Sequence, residues 1–68
     1  MKKIVIELTD EQYSQMNKYI QKGHKFNLEN ETFSGYAINL NTCILSDWLE
    51  IDFNGKLDLG EVNWKFED

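Results

Sequence analysis

An α+β fold of element order β-α-β-β-β is what this sequence predicts, with one helix packed on a four-stranded, mainly antiparallel sheet. Three observations predict it: a period-two strand at the N-terminus, a capped amphipathic helix after it, and a long hairpin pattern turned at Phe53-Asn54-Gly55. At 68 residues the chain makes one domain. A core of that size supplies only about 3–5 kcal/mol of net stability. Hydrophobic residues make up 41% and aromatic residues 13%, too rich for a disordered chain.

Ile4, Ile6 and Leu8 alternate with Lys3, Val5 and Glu7, the pattern of a half-buried first strand. Its charged start lacks the apolar run and small-residue cleavage site of a signal peptide, so a cytoplasmic location is expected. Thr9-Asp10-Glu11-Gln12 then reads as a capping box, with Leu8 and Tyr13 placed for a hydrophobic staple. Tyr13, Met16 and Ile20 make one apolar stripe. Lys18 and Lys22 suit the negative end of the helix dipole, and Gly23 suits a left-handed C-terminal position. The helix is therefore expected over residues 10–22. His24 to Glu31 has no period; Asn27 and Asn30 suggest a turn, with Phe26 and Leu28 tucked under the helix end.

Alternation resumes from Thr32 to Asn41, the second expected strand, with Tyr36, Ile38 and Leu40 inward and Phe33, Gly35 and Ala37 outward. A third strand from Ile44 to Phe53 points Leu45, Leu49, Ile51 and Phe53 inward and Trp48, Glu50 and Asp52 outward. A two-residue Asn54-Gly55 loop would set Leu57 against Asp52 and mix the faces. A three-residue loop with a left-handed Gly55 pairs Asp52 with Lys56, Ile51 with Leu57 and Leu49 with Leu59. The inward phase then shifts from odd (Leu57, Leu59) to even (Val62, Trp64, Phe66), which predicts a β-bulge at Gly60-Glu61. In this register Glu50 faces Asp58, a like-charge pair.

The charge is uneven. Residues 1–42 balance, and the whole excess of −5 lies in residues 43–68. Acidity argues against phosphate binding, so a nucleic-acid partner is not expected, and no apolar run approaches a membrane span. An outward face bearing Trp48, Glu50, Asp52, Asp58 and Glu61, extended by Phe33, is the candidate partner-binding surface. Two occupants are expected for it: a basic protein surface, or a second copy of the chain joined through Val5, Phe33 and Trp48. The concrete form of the first is a non-enzymatic inhibitor of phage or mobile-element type that imitates nucleic-acid charge. A third possibility is weak nucleic-acid binding through the lysines at the helix end (Lys18, Lys22, Lys25).

Catalytic chemistry finds little support. Cys43 and His24 are the single cysteine and histidine, with nothing local to activate the thiol, so Cys43 reads as a small buried hydrophobe. The Asp52–Asp58 stretch lacks the ligand rhythm of a calcium loop. No cofactor, metal or catalytic residue is expected. The run Leu8-Thr9-Asp10-Glu11-Gln12 after a strand resembles the opening of many small bacterial and phage proteins, including ribbon-helix-helix repressors. That likeness spans about 20 residues and carries helix capping alone, because strands follow where those repressors have a second helix.

Overall fold

The computed structural model describes all of residues 1–68. Its elements are β1 (Lys3–Glu7), α1 (Asp10–Glu29), β2 (Ala37–Thr42), β3 (Asp47–Asp52), β4 (Lys56–Glu61) and β5 (Asn63–Glu67). The α+β class holds: one helix lies against antiparallel strands. The strands form two sheets, β2-β3-β4 and β1-β5. The division falls at Val62, where the expected fourth strand breaks in two. Val62 N–H still donates to Asp47 O at 3.1 Å, and the chain then turns away to pair with β1. One long strand thus serves both sheets through a corner, as strands in orthogonally packed sheets do.

The helix starts as its sequence dictates. Thr9 Oγ1 accepts from Gln12 N–H at 3.1 Å, and Gln12 Oε1 accepts from Thr9 N–H at 2.9 Å. It does not stop at residue 22. It runs through Gly23 to Glu29, and the left-handed position after it belongs to Glu31 (φ 53°). Asn30 closes the end, donating from its N–H (3.1 Å) and its Nδ2 (2.9 Å) to Phe26 O. The core-facing stripe is Met16, Ile20, Gly23 and Asn27, at steps of four, three and four. Its second half is a glycine and an asparagine, so the apolar period fades while the helix continues. Lys18 and Lys22 therefore lie mid-helix, and the dipole does not account for them; the last turn holds no basic residue.

The core is Leu49, Ile51, Phe53, Leu59 and Val62, packed by Ile6, Leu8, Met16, Tyr19, Ile20, Leu40 and Leu57. Each fully buried aliphatic or aromatic side chain contributes about 1.5–3 kcal/mol, so a five-residue core leaves little margin. Several residues expected inside are not. Leu45 is 91% exposed, because Cys43 N–H bonds Ser46 O at 3.0 Å and leaves Ile44-Leu45 at the tip of a tight turn. Tyr13, Ile4, Ile38, Tyr36 and Phe66 are each more than two-fifths exposed, since one helix cannot cover two sheets. Phe26 and Leu28 are likewise exposed and do not tuck beneath the helix end.

Candidate acidic sheet face

The register of β3 fixes the site. Asp52 pairs with Lys56, Ile51 with Leu57 and Glu50 with Asp58, as a three-residue loop requires. Asn54 (φ 56°) and Gly55 (φ 141°) both take positive φ at its tip, and Phe53 N–H bonds Gly55 O at 2.7 Å. The bulge is present one residue earlier than expected. Leu49 faces Gly60 rather than Leu59, and the shift lies opposite Leu49/Glu50. Its cause is local: Asp58 Oδ1 accepts from Gly60 N–H at 2.8 Å, drawing Gly60 into positive φ (86°) and leaving Leu59 unpaired and buried.

Residues directly opposite in an antiparallel ladder share a face. Trp48 opposes Glu61 on β4 and Asn41 on β2; Glu50 opposes Asp58 and Asn39; Asp52 opposes Lys56 and Ala37. Trp48, Glu50, Asp52, Asp58 and Glu61 therefore stand together on the sheet face away from the helix, with Lys56 beside Asp52 as the one basic residue of these β3–β4 pairs. Trp48 Nε1 donates to Glu50 Oε1 at 2.8 Å, which aligns the indole along the acidic row. No lysine nitrogen comes within ion-pair distance of these acids; the ion pair of the molecule is Lys65–Glu67 at 3.7 Å. Hydrogen bonds run from Val62 to Asp47 and from Phe53 to Gly55, so odd β3 residues bond toward β4. Glu50–Asp58 is then a non-hydrogen-bonded pair, the kind that brings side chains closest, about 4.5 Å between Cα atoms.

Phe33 does not join them. It lies in the loop before β2, 96% exposed, beside His24, Asn27, Leu28, Thr32 and Ser34. Alternation at residues 32–36 finds no partner because β3 ends at Asp52, opposite Ala37. Val5 is in the two-stranded sheet and Ile44 at the turn tip, so the apolar patch expected around Trp48 is not assembled. The face is a polar one carrying a single tryptophan.

Three further residues hold the site in place. Gln12 Nε2 donates to Leu59 O and Glu61 O, both at 2.9 Å, tying the helix start to the bulge. Asn27 is buried; its Nδ2 donates to Ser34 O (2.9 Å) and Oγ (3.2 Å), and its Oδ1 accepts from Asn54 Nδ2 (3.0 Å). It pins the loop and the hairpin tip to the helix. Asp47 Oδ2 accepts from Trp64 Nε1 at 3.0 Å, bridging the two sheets. Gln12 was legible only as a cap, and nothing in the sequence marks Asn27 as buried.

Cys43 is exposed, not buried. Its thiol titrates below the usual range, first through the Leu45 backbone and then through that of Ser46. It sits at the β2–β3 turn, and His24 is on α1 against Phe53 and Tyr36. A cleft of about 400 Å³ runs between Glu7, Gln12, Asp47 and Glu61, and it is open and polar. No three His, Cys, Asp or Glu side chains converge as metal ligands would, and no helix is long and apolar enough to cross a membrane. Comparison with known proteins adds no residue to this site: no family model matches the chain, and neither does a curated protein or a solved structure.

Proposed function

We propose that this chain is a small, non-enzymatic, cytoplasmic protein-binding module that sets the outer face of β3 and β4 against a basic protein surface. The observation that carries the reading is the register: Trp48, Glu50, Asp52, Asp58 and Glu61 share one face, with no ion pair neutralising any of them. A row of four acids against the single Lys56 speeds encounter with a cationic surface, and a tryptophan within it supplies apolar contact once docked. The partner is a nucleic-acid-binding protein whose phosphate site the acidic row occupies, and the protein acts as its inhibitor. Direct nucleic-acid binding is disfavoured by the net charge of −5. Lys18 and Lys22 line a shallow depression with Tyr19, Leu57 and Asp58 and form no ion pair there.

The test compares capture of proteins from host lysate by the wild type, by Trp48→Ala, and by the double variant Glu50→Lys/Asp58→Lys. A control, Asp10→Lys/Glu11→Lys, makes the same net-charge change on the helix. The reading requires that one captured protein disappear with both face variants, persist with the control, and be displaced by added duplex DNA. Equal loss with the control would reduce the effect to bulk charge and sink the proposal.

A further inference from the structure

The β2 strand is the free edge of the three-stranded sheet, and it differs from every other edge in the molecule. It reads Ala37-Ile38-Asn39-Leu40-Asn41-Thr42, with no charge, no proline and no glycine. β1 carries Lys3 and Glu7, and β5 carries Lys65 and Glu67. β4 carries Lys56, Asp58 and Glu61, and Gln12 already occupies its Leu59 and Glu61 carbonyls. Charges of that kind are what keep sheet edges from pairing, and β2 has none.

The groups it offers can be named. Cys43 N–H bonds Ser46 O, so within the same ladder the odd residues of β2 bond toward β3. The N–H and C=O groups of Ile38, Leu40 and Thr42 therefore point outward, and no side chain of the protein meets them. Ile38 is 50% exposed on the helix side of this edge.

We infer that β2 pairs antiparallel with β2 of a second copy, joining two three-stranded sheets into one of six strands. A two-fold axis perpendicular to the sheet keeps the faces of both copies aligned, so the central residue must oppose itself. Centring on Leu40 uses every outward group: Leu40 meets Leu40, and Ile38 meets Thr42 of the second copy at both ends. On the helix side Ile38 and Leu40 of both copies form one apolar strip. On the outer face Asn39 opposes Asn41 of the second copy twice, an amide pair that donates and accepts. Charge does not oppose the union. The nearest acids, on β3 of each copy, stand three strand spacings apart, about 14 Å, beyond a screening length of about 8 Å at physiological salt. A foreign strand of defined sequence would need a feature to read, and the neutral, self-matching edge displays none. The dimer stands on this edge alone and does not depend on the acidic face having a partner.

Two experiments test it. Sedimentation of the wild type across the micromolar range is expected to show a monomer–dimer equilibrium. Thr42→Pro, which removes one outward N–H and leaves the bonds to β3 intact, should weaken it by about tenfold or more at unchanged far-ultraviolet circular dichroism. The second experiment places Asn39→Cys and Asn41→Cys separately in a Cys43→Ser background. Residues 39 and 41 of opposite copies form a close, non-hydrogen-bonded pair within disulfide reach, about 4.5 Å between Cα atoms. Mixing the two variants under mild oxidation should give a covalent dimer that neither gives alone. A wild type that stays monomeric overturns the inference. So does a dimer whose mixed cysteine variants cross-link no better than each one separately, because that dimer uses another surface or register.

Discussion

A methyl group added at Gly23 would stand 2.5 Å from Cδ2 of Phe53, 2.6 Å from Cε2 and 2.9 Å from Cγ. The helix backbone rests directly on the buried ring at the turn of the hairpin. His24 and Tyr36 hold that ring from two other sides, at centroid distances of 5.1 and 5.3 Å.

Gly23→Ala is therefore expected to destabilise the protein even though alanine is the better helix former. The propensity gain is about 1 kcal/mol, and overpacking against a ring that cannot rotate away costs about 1–3 kcal/mol, so the net loss should be about 1 kcal/mol. Gly35→Ala is the control: nothing lies within 4 Å of its added carbon, and its stability should hold or rise slightly. Urea unfolding followed by tryptophan fluorescence separates the two. A more stable Gly23→Ala protein would mean the helix is not seated on Phe53.

Gln12 is expected to matter more than a helix cap does. Gln12→Glu keeps the acceptor for Thr9 N–H and improves the interaction with the helix dipole. It also replaces the amide that serves Leu59 O and Glu61 O with a carboxylate oxygen. Two donated bonds become two repulsive contacts, so the variant should lose about 1–3 kcal/mol in urea unfolding. If Gln12→Glu matches the wild type, the tie between helix and bulge carries no energy.

These two residues show what the sequence could and could not reveal. The capping box needs only residues three apart, so Thr9 and Gln12 announce the helix start unaided. Gly23 has two physical uses, a left-handed helix end and a close approach, and the local sequence is the same for both. The approach is decided by Phe53, thirty positions on. The hairpin register followed from keeping Ile51 and Leu57 on one face, which is a property of the pattern itself. The bulge lies one residue before the position that the hydrophobic phase predicts, because a hydrogen bond from Gly60 N–H to Asp58 sets it and the phase does not encode that bond. Four of the five acidic-face residues besides Phe33 are charged and came with the register. Phe33 fell away because strand length depends on the partner strand, and β3 offers nothing beyond Asp52.

The Cys43 thiol should be more reactive in the folded protein than in the unfolded one. Backbone bonds at Leu45 and Ser46 stabilise the thiolate, lowering the pKa from its ordinary value of 9.0. Because the folded value is the depressed one, the associated stability is present above the unfolded pKa and is lost as pH falls through the folded value. The pH of half-maximal alkylation by iodoacetamide should therefore be lower for native protein than for protein in urea. Ser46→Ala should leave most of that difference, since the backbone groups lead and the serine side chain contributes less. Identical profiles in the two states would contradict this placement of the turn.

The Glu50–Asp58 pair gives the last prediction, and it bears on why the acids are there. Like charges directly opposite destabilise a strand pair, and no lysine forms an ion pair with either of these two. Glu50→Gln retains the Oε1 acceptor for the Trp48 indole, and Asp58→Asn retains the Oδ1 acceptor for Gly60 N–H. Each should raise stability by about 0.2–1 kcal/mol at low salt, because each removes charge without removing a bond. The double variant should gain little more than either single one, since the first change already abolishes the repulsion. The gain should fade in high salt, where the screening length drops to about 3 Å. Glu50→Ala, which also loses the indole bond, should show less gain than Glu50→Gln. A protein that becomes more stable on losing these carboxylates does not hold them for its fold, and a cationic partner is the simplest reason to keep them. If neutralisation leaves stability unchanged at low salt, the acids are solvated without cost, and the argument for a partner rests on capture experiments alone.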